Sequence, residues 1–172
     1  MKNDFIDEPM LDPPGWGRED RNEASEVTRR RVSLILGGEP YAVLCTQGES
    51  QPYGSIVAFA ASDDRRHLVF TTPIFTRKYR LLQSCSQVAM VIDTRARHPD
   101  SLMDVEGITA TGIAREHEGD EAKPWMSLFL DRHPHLESFT RSGSSALFSV
   151  EVRRYFYVTR FQEVHQWVPS GS

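Results

Sequence analysis

Cysteine is nearly missing from this chain: there are two in 172 residues, Cys45 and Cys85, without CxxC spacing. A disulfide scaffold or a thiolate zinc site needs more thiols at closer intervals, so each cysteine reads as a reduced packing residue. Long apolar runs are missing too, and no stretch approaches the length that crosses a membrane. The opening MKNDFIDEP is acidic and broken by proline, unlike a secretory leader, which makes a soluble cytoplasmic protein the expectation. Nor is there an excess of positive charge. The 20 basic and 24 acidic side chains leave a formal net charge of -4, so no global field attracts nucleic acid or an anionic membrane, and any anion must be held locally.

Several familiar chemistries are absent as well. There is no GxSxG elbow, and Arg141-Ser142-Gly143-Ser144-Ser145 reads as a turn. His133-Pro134-His135 spaces two imidazoles as some metal sites do, but no carboxylate or thiol nearby completes a set, so no metal is expected. His67, His98 and His117 have no recognisable partner for nucleophilic catalysis. No side chain stands out as an acid or base, and no catalytic residue is assigned.

What is present suits one domain with one core, with 39% hydrophobic and 26% charged residues. Residues 1–21 are rich in Asp, Glu and Pro and read as an irregular arm that Trp16 could anchor; residues 22–172 form the single domain. Asn22 is a candidate helix cap, Glu23 and Glu26 favour the first turn, and Val27, Leu34 and Ile35, with Arg31 between, predict one buried face. Gly37-Gly38 ends that helix. Arg29-Arg30-Arg31 points in three directions and forms no patch. Next come three predicted strands, Tyr41 to Thr46, Tyr53 to Ala61 and His67 to Thr72, joined by turns at Gly48-Glu49-Ser50 and Asp63-Asp64. A short helix follows Thr76, QVAMVID returns to strand, and Thr94 to Met103 is loop. Val105 to His117 is a long bent strand, residues 120–132 are helical, and the aromatic C-terminus forms two strands bent near Arg160 or Phe161. The fold is therefore mainly β with peripheral helices, its antiparallel sheet closed on itself so that no edge is exposed.

The segment FTTPIFTRKYRLL carries the most chemistry. A strand ends in Thr71 and Thr72, a proline turn follows, and a helix opens at Thr76, Arg77 and Lys78. Free N–H groups, the helix dipole, an arginine fork and a lysine make a phosphate cradle there. The alternative reading is two solvated cations behind a simple cap.

The order of these features resembles the split barrels related to pyridoxamine 5'-phosphate oxidase, over about residues 26 to 115 and more weakly beyond. That family has an N-terminal helix, a "vLaT" strand, a Gln-Pro-like step, a flavin-lining strand, a strand ending in Thr and an "(S/T)RK" helix start. Here they stand as Ala42-Val43-Leu44-Cys45-Thr46, Gln51-Pro52, Gly54-Ser55-Ile56-Val57, Thr71-Thr72 and Thr76-Arg77-Lys78. The resemblance implies an antiparallel Greek-key split β-barrel binding FMN, working as an oxidoreductase and a homodimer with FMN at the subunit interface. It assigns the FMN phosphate to Arg77 and Lys78 beside Thr76, and the ribityl chain or phosphate to Thr71 and Thr72. The isoalloxazine edge falls to the backbone of Ser55, Ile56 and Val57, with Ile56 and Val57 also offering an apolar surface. The strand Val105–Arg115 and the aromatic C-terminus, including Trp167, become candidates for contacts across the dimer, although Trp167 reads equally well as packing. Two departures point away from authentic pyridoxamine phosphate oxidation. Phe59-Ala60-Ala61 stands where the oxidase carries a lysine, and the chain ends at VPSGS soon after Trp167, without an arginine-histidine cluster. Gly107 also replaces a flavin-contacting glutamine. The rival readings are deazaflavin, haem bound through His165, or a cofactor-binding sensor without turnover.

Overall fold

The computed structural model describes residues 18–48, 50–160 and 163–169. Most of the predicted arm, Trp16 included, lies outside these residues. Helix α1 spans Arg18–Gly38, starting four residues before the Asn22 cap expected from sequence. Strands β1 (Tyr41–Gly48), β2 (Gln51–Ala61) and β3 (His67–Pro73) form the expected meander. Helix α2 (Arg77–Ser84), strand β4 (Gln87–Asp93), strand β5 (Gly107–His117), helices α3 (Gly119–Arg132) and α4 (Glu137–Thr140), and strands β6 (Ser145–Thr159) and β7 (Glu163–Trp167) complete the order.

The strands lie in the order β3-β2-β1-β4-β5-β6-β7, and β3 also pairs with β6, so six strands close into an antiparallel barrel with β7 appended to β6. Placing β4 beside β1 after a three-strand meander is the Greek-key arrangement. Side chains alternate across the wall. Leu44, Val57, Phe59, Phe70, Met90, Ile108, Ala110, Phe148 and Tyr155 fill one core. On the outside, α3 covers a second cluster of Ala60, Val69, Ala122, Phe129 and Leu147. A bulge re-aims β6 midway: Thr111 faces Arg154 while Gly112 faces Val152, leaving Arg153 as the extra residue. Gly112 is required there, because a Cβ would stand 2.3 Å from the Glu151 carbonyl oxygen.

Of the face its pattern suggested, helix α1 buries Ile35 but not Val27 or Leu34. Thr28, Val32, Ile35 and Leu36 are buried, whereas Val27 and Leu34 are 55% and 64% exposed. The apolar residues of 27–36 support two stripes one residue apart. Packing selects the one carrying Val32 and Leu36, and Arg31 reaches out to a bidentate pair with Glu106. No helix among the described residues is long and apolar enough to cross a membrane.

Candidate functional site

β2 and β3 part company early. They pair only at Phe59–Phe70, Ala60–Val69 and Ala61–Leu68. Beyond that point β3 continues along β6 through Thr71–Leu147 and Thr72–Ala146, while residues 51–58 of β2 pair with β1 alone. Among the described residues the split leaves one backbone edge of Ser55, Ile56 and Val57 without a strand partner, a row of alternating donors and acceptors. The side chains of these residues diverge. Val57 is 4% exposed in the barrel core and Ile56 is 72% exposed on the outer wall, so they do not form the shared apolar surface expected from sequence. Strand alternation forbids it. The Ser55 hydroxyl oxygen is buried and has no hydrogen-bond partner.

Across the split, α2 begins as predicted. The Thr76 hydroxyl accepts from the Tyr79 N–H at 3.3 Å and donates to the Pro73 carbonyl at 2.8 Å. Its hydrogen is therefore committed to the cap, which makes Thr76 a shaping residue. Thr72 is fully buried with its hydroxyl 3.3 Å from that of Thr76. Thr71, 7% exposed, alternates to the opposite side of β3, so the two threonines do not line one surface. Arg77 is exposed, with its guanidinium carbon 4.9 Å from the centroid of the Tyr53 ring. Lys78 is half-buried, and that burial pushes its ammonium pKa down. Among the described residues no carboxylate forms an ion pair with either cation. Two unneutralised cations at a helix start, one of them Arg77 on the Tyr53 ring of the strand whose edge is free, suit a ligand with an anionic end and a flat polar end.

The serine-rich turn after α4, which sequence gave no reason to place here, abuts this helix start. The Ile74 N–H donates to the Ser144 carbonyl at 2.9 Å, and Ser145 pairs with Pro73. That adjacency arises from the β3–β6 pairing, a contact between residues about 70 apart in sequence that leaves no local signal. Trp167, open from sequence between a dimer contact and packing, is 9% exposed and stacks on Tyr155 at 5.4 Å within its own core. A flat aromatic on the inward row of β7 packs against the inward Tyr155 opposite it.

The histidines are committed elsewhere. His133 meets the Phe59 carbonyl at 2.8 Å and His117 the Ser149 hydroxyl at 2.7 Å, both buried. His165 lies 3.0 Å from Glu163 and against the Tyr157 ring. An open cavity of about 420 Å³ is lined by Glu116, Glu118, Asp120 and Glu121, a chemistry that repels phosphate.

Outside the barrel, one face is bare. Ile56, Val43, Val91, Thr109 and Phe156 form one row across five strands, and Gly54, Cys45, Ala89 and Thr111 form the next. All of these are partly or fully exposed, while the alternate residues are core. The second row ends on the half-buried Arg154 of β6, so the face carries one cation at its edge among otherwise uncharged residues.

A closed Greek-key barrel with a split beside a basic helix start defines the class of split β-barrels. The sequence profile of pyridoxamine 5'-phosphate oxidase matches residues 29–159, and the chain belongs to that family. No curated protein matches it in sequence. Among solved structures, a heme binding protein from Mycobacterium smegmatis superposes with a TM-score of 0.72 at 18% identity, covering 85% of this chain and 58% of that one. Campylobacter jejuni ChuZ gives 0.70 at 11% identity, covering 83% and 59%. A FAD-binding protein from Mesorhizobium loti gives 0.61 at 14%, covering 74% and 91%. This chain thus spans somewhat under three fifths of the first two, and at these identities the likeness is one of fold.

Proposed function

We propose that this protein binds FMN in the split and works as a flavin-dependent oxidoreductase of the pyridoxamine 5'-phosphate oxidase group, distinct from the oxidase itself. The observation that carries the reading is the unpaired β2 edge at Ser55–Val57, with Arg77 resting on the Tyr53 ring of the same strand. The residues present fit the group. Arg77 and Lys78 hold the phosphate, with Thr76 fixing the turn that presents them. The β2 backbone matches the donors and acceptors of the isoalloxazine edge, and the buried Ser55 hydroxyl gains the partner it lacks. When bound, FMN supplies the electron transfer, and the chain supplies position and charge. The lysine-equivalent stretch offers no cation, since Phe59 lies in the core and Ala60 beneath α3.

A second copy is the natural cover for the bare face centred on Val43, Val91 and Ile56, and the resulting homodimer places FMN at the interface.

An absorbance spectrum of the purified protein, followed by titration with FMN under fluorescence detection, tests the reading. A flavin spectrum or saturable quenching supports it; neither appearing sinks it. The likeness to a heme binding protein motivates the second reading, haem in the same cleft. A Soret band abolished by His165→Ala would select haem, although His165 already engages Glu163. Sedimentation of Ile56→Glu against wild type tests the dimer, with a monomeric variant expected and a monomeric wild type overturning it.

A further inference from the structure

We propose that Tyr53 is the positioning residue for Arg77, its ring holding the guanidinium across the split so that the fork faces an anion at the start of α2. The inference rests on the reading of that helix start as the phosphate seat. The guanidinium carbon of Arg77 lies 4.9 Å from the Tyr53 ring centroid, within cation–π range. Without an ion-pair partner, an exposed arginine samples many rotamers and loses that freedom on binding. The backbone that carries the Tyr53 ring is itself fixed. It pairs with Thr46 in the β1–β2 ladder, and the buried Thr46 hydroxyl donates to the Tyr53 carbonyl at 3.2 Å.

A ring face differs from a carboxylate in what it leaves free. A carboxylate consumes N–H donors and neutralises charge, as Glu106 does for Arg31. A ring face does neither, so the whole fork stays open to oxygen acceptors. The same strand shows the device completed. Arg132 lies 5.0 Å from the Phe59 ring centroid, and its donors reach the carbonyls of Leu36, Gly37 and Glu39. Tyr53 and Phe59 both belong to β2, and each carries an arginine on its ring; at Arg77 the oxygens are still to come.

FMN dissociation constants measured by fluorescence quenching test this, for Tyr53→Leu and Tyr53→Phe made in both the wild-type and Arg77→Ala backgrounds. Tyr53→Leu is expected to weaken binding about threefold to tenfold, and Tyr53→Phe by less than about twofold. In the Arg77→Ala background Tyr53→Leu should add no further loss. Wild-type affinity in Tyr53→Leu, or the same loss with Arg77 removed, overturns the assignment. Should the wild type bind no FMN, the flavin reading falls separately, and NMR of the Arg77 Nε–Hε resonance decides the role of Tyr53. A ring-current shift kept in Tyr53→Phe and lost in Tyr53→Leu, with a response to inorganic phosphate weakened about threefold to tenfold in Tyr53→Leu alone, upholds it. A resonance unchanged in Tyr53→Leu, or one blind to phosphate, overturns it.

Discussion

Arg132 and Arg77 both lie on aromatic rings of β2, yet one is a structural clasp and the other is open. Arg132 comes from the end of α3 and spends its donors on the last carbonyls of α1 and the Glu39 carbonyl just beyond, groups that the helix leaves unsatisfied. It is partly buried, and that burial pushes its pKa down, so the hydrogen bonds must offset a desolvation cost. Arg77 sits at the start of a helix, where N–H groups and not carbonyls are left over, and among the described residues no acceptor fills its fork. A guanidinium at a helix C-terminus meets its complement within the chain; one at an N-terminus awaits an anion from outside.

Breaking the clasp should give the largest effect. Arg132→Met keeps much of the stacking on Phe59 but leaves three carbonyls without their donor, which should lower stability by about 3 kcal/mol. Urea unfolding with an unchanged slope measures it, and a loss below about 1 kcal/mol would mean that water replaces the guanidinium. FMN affinity of the folded fraction should not move.

Arg77→Ala combined with Lys78→Ala reverses the pattern. Stability without ligand should stay within about 1 kcal/mol of wild type, because neither cation has an ion-pair partner among the described residues. FMN affinity should drop about a hundredfold, the loss of two charge-assisted contacts. Equal effects on melting and binding would erase the distinction between clasp and open fork. Arg31→Met lies between these extremes in kind but is smaller in size. The Arg31–Glu106 pair ties α1 to the residue just before β5, yet Arg31 is 45% exposed, so about 1 kcal/mol is expected, shrinking in high salt.

The two arginines also show what sequence could reveal. The TRK helix start was legible because its signals are local: a capping threonine, a preceding proline turn and basic residues in the first turn. Strand order came from β-propensity and turn residues, again local. Arg132 carried no such mark, since its three acceptors lie more than 90 residues away. The same holds for the split, which exists because β3 leaves β2 for β6, and for the serine turn that this exchange brings to Ile74. The opposed directions of Ile56 and Val57 were available from alternation alone. The buried face of α1 was not, because two apolar stripes one residue apart differ only in what the barrel mouth accepts.

The smallest effect expected concerns acid, and it separates the clasp side from the open side once more. His117 is buried, its Nε2 meets the Ser149 hydroxyl and its Nδ1 has no partner. Burial holds its pKa below the usual 6.5, and the Arg115 charge acts in the same direction against Glu121. His133, next to Arg132, is lowered by burial as well, against the hydrogen bond to Phe59. As pH falls through 6.5 the unfolded chain therefore takes up these protons before the folded one does. Stability is flat above 6.5 and declines below it, toward the lowered folded values. Glu106 acts in a separate window: although burial raises its pKa, Arg31 and Tyr157 hold it below 4.5, so its contribution is lost only in stronger acid. His117→Gln should flatten part of the decline between pH 6.5 and 5 while leaving the rest to His133. Urea midpoints across that range check it, and a slope identical to wild type would show that the Ser149 contact tolerates a protonated ring.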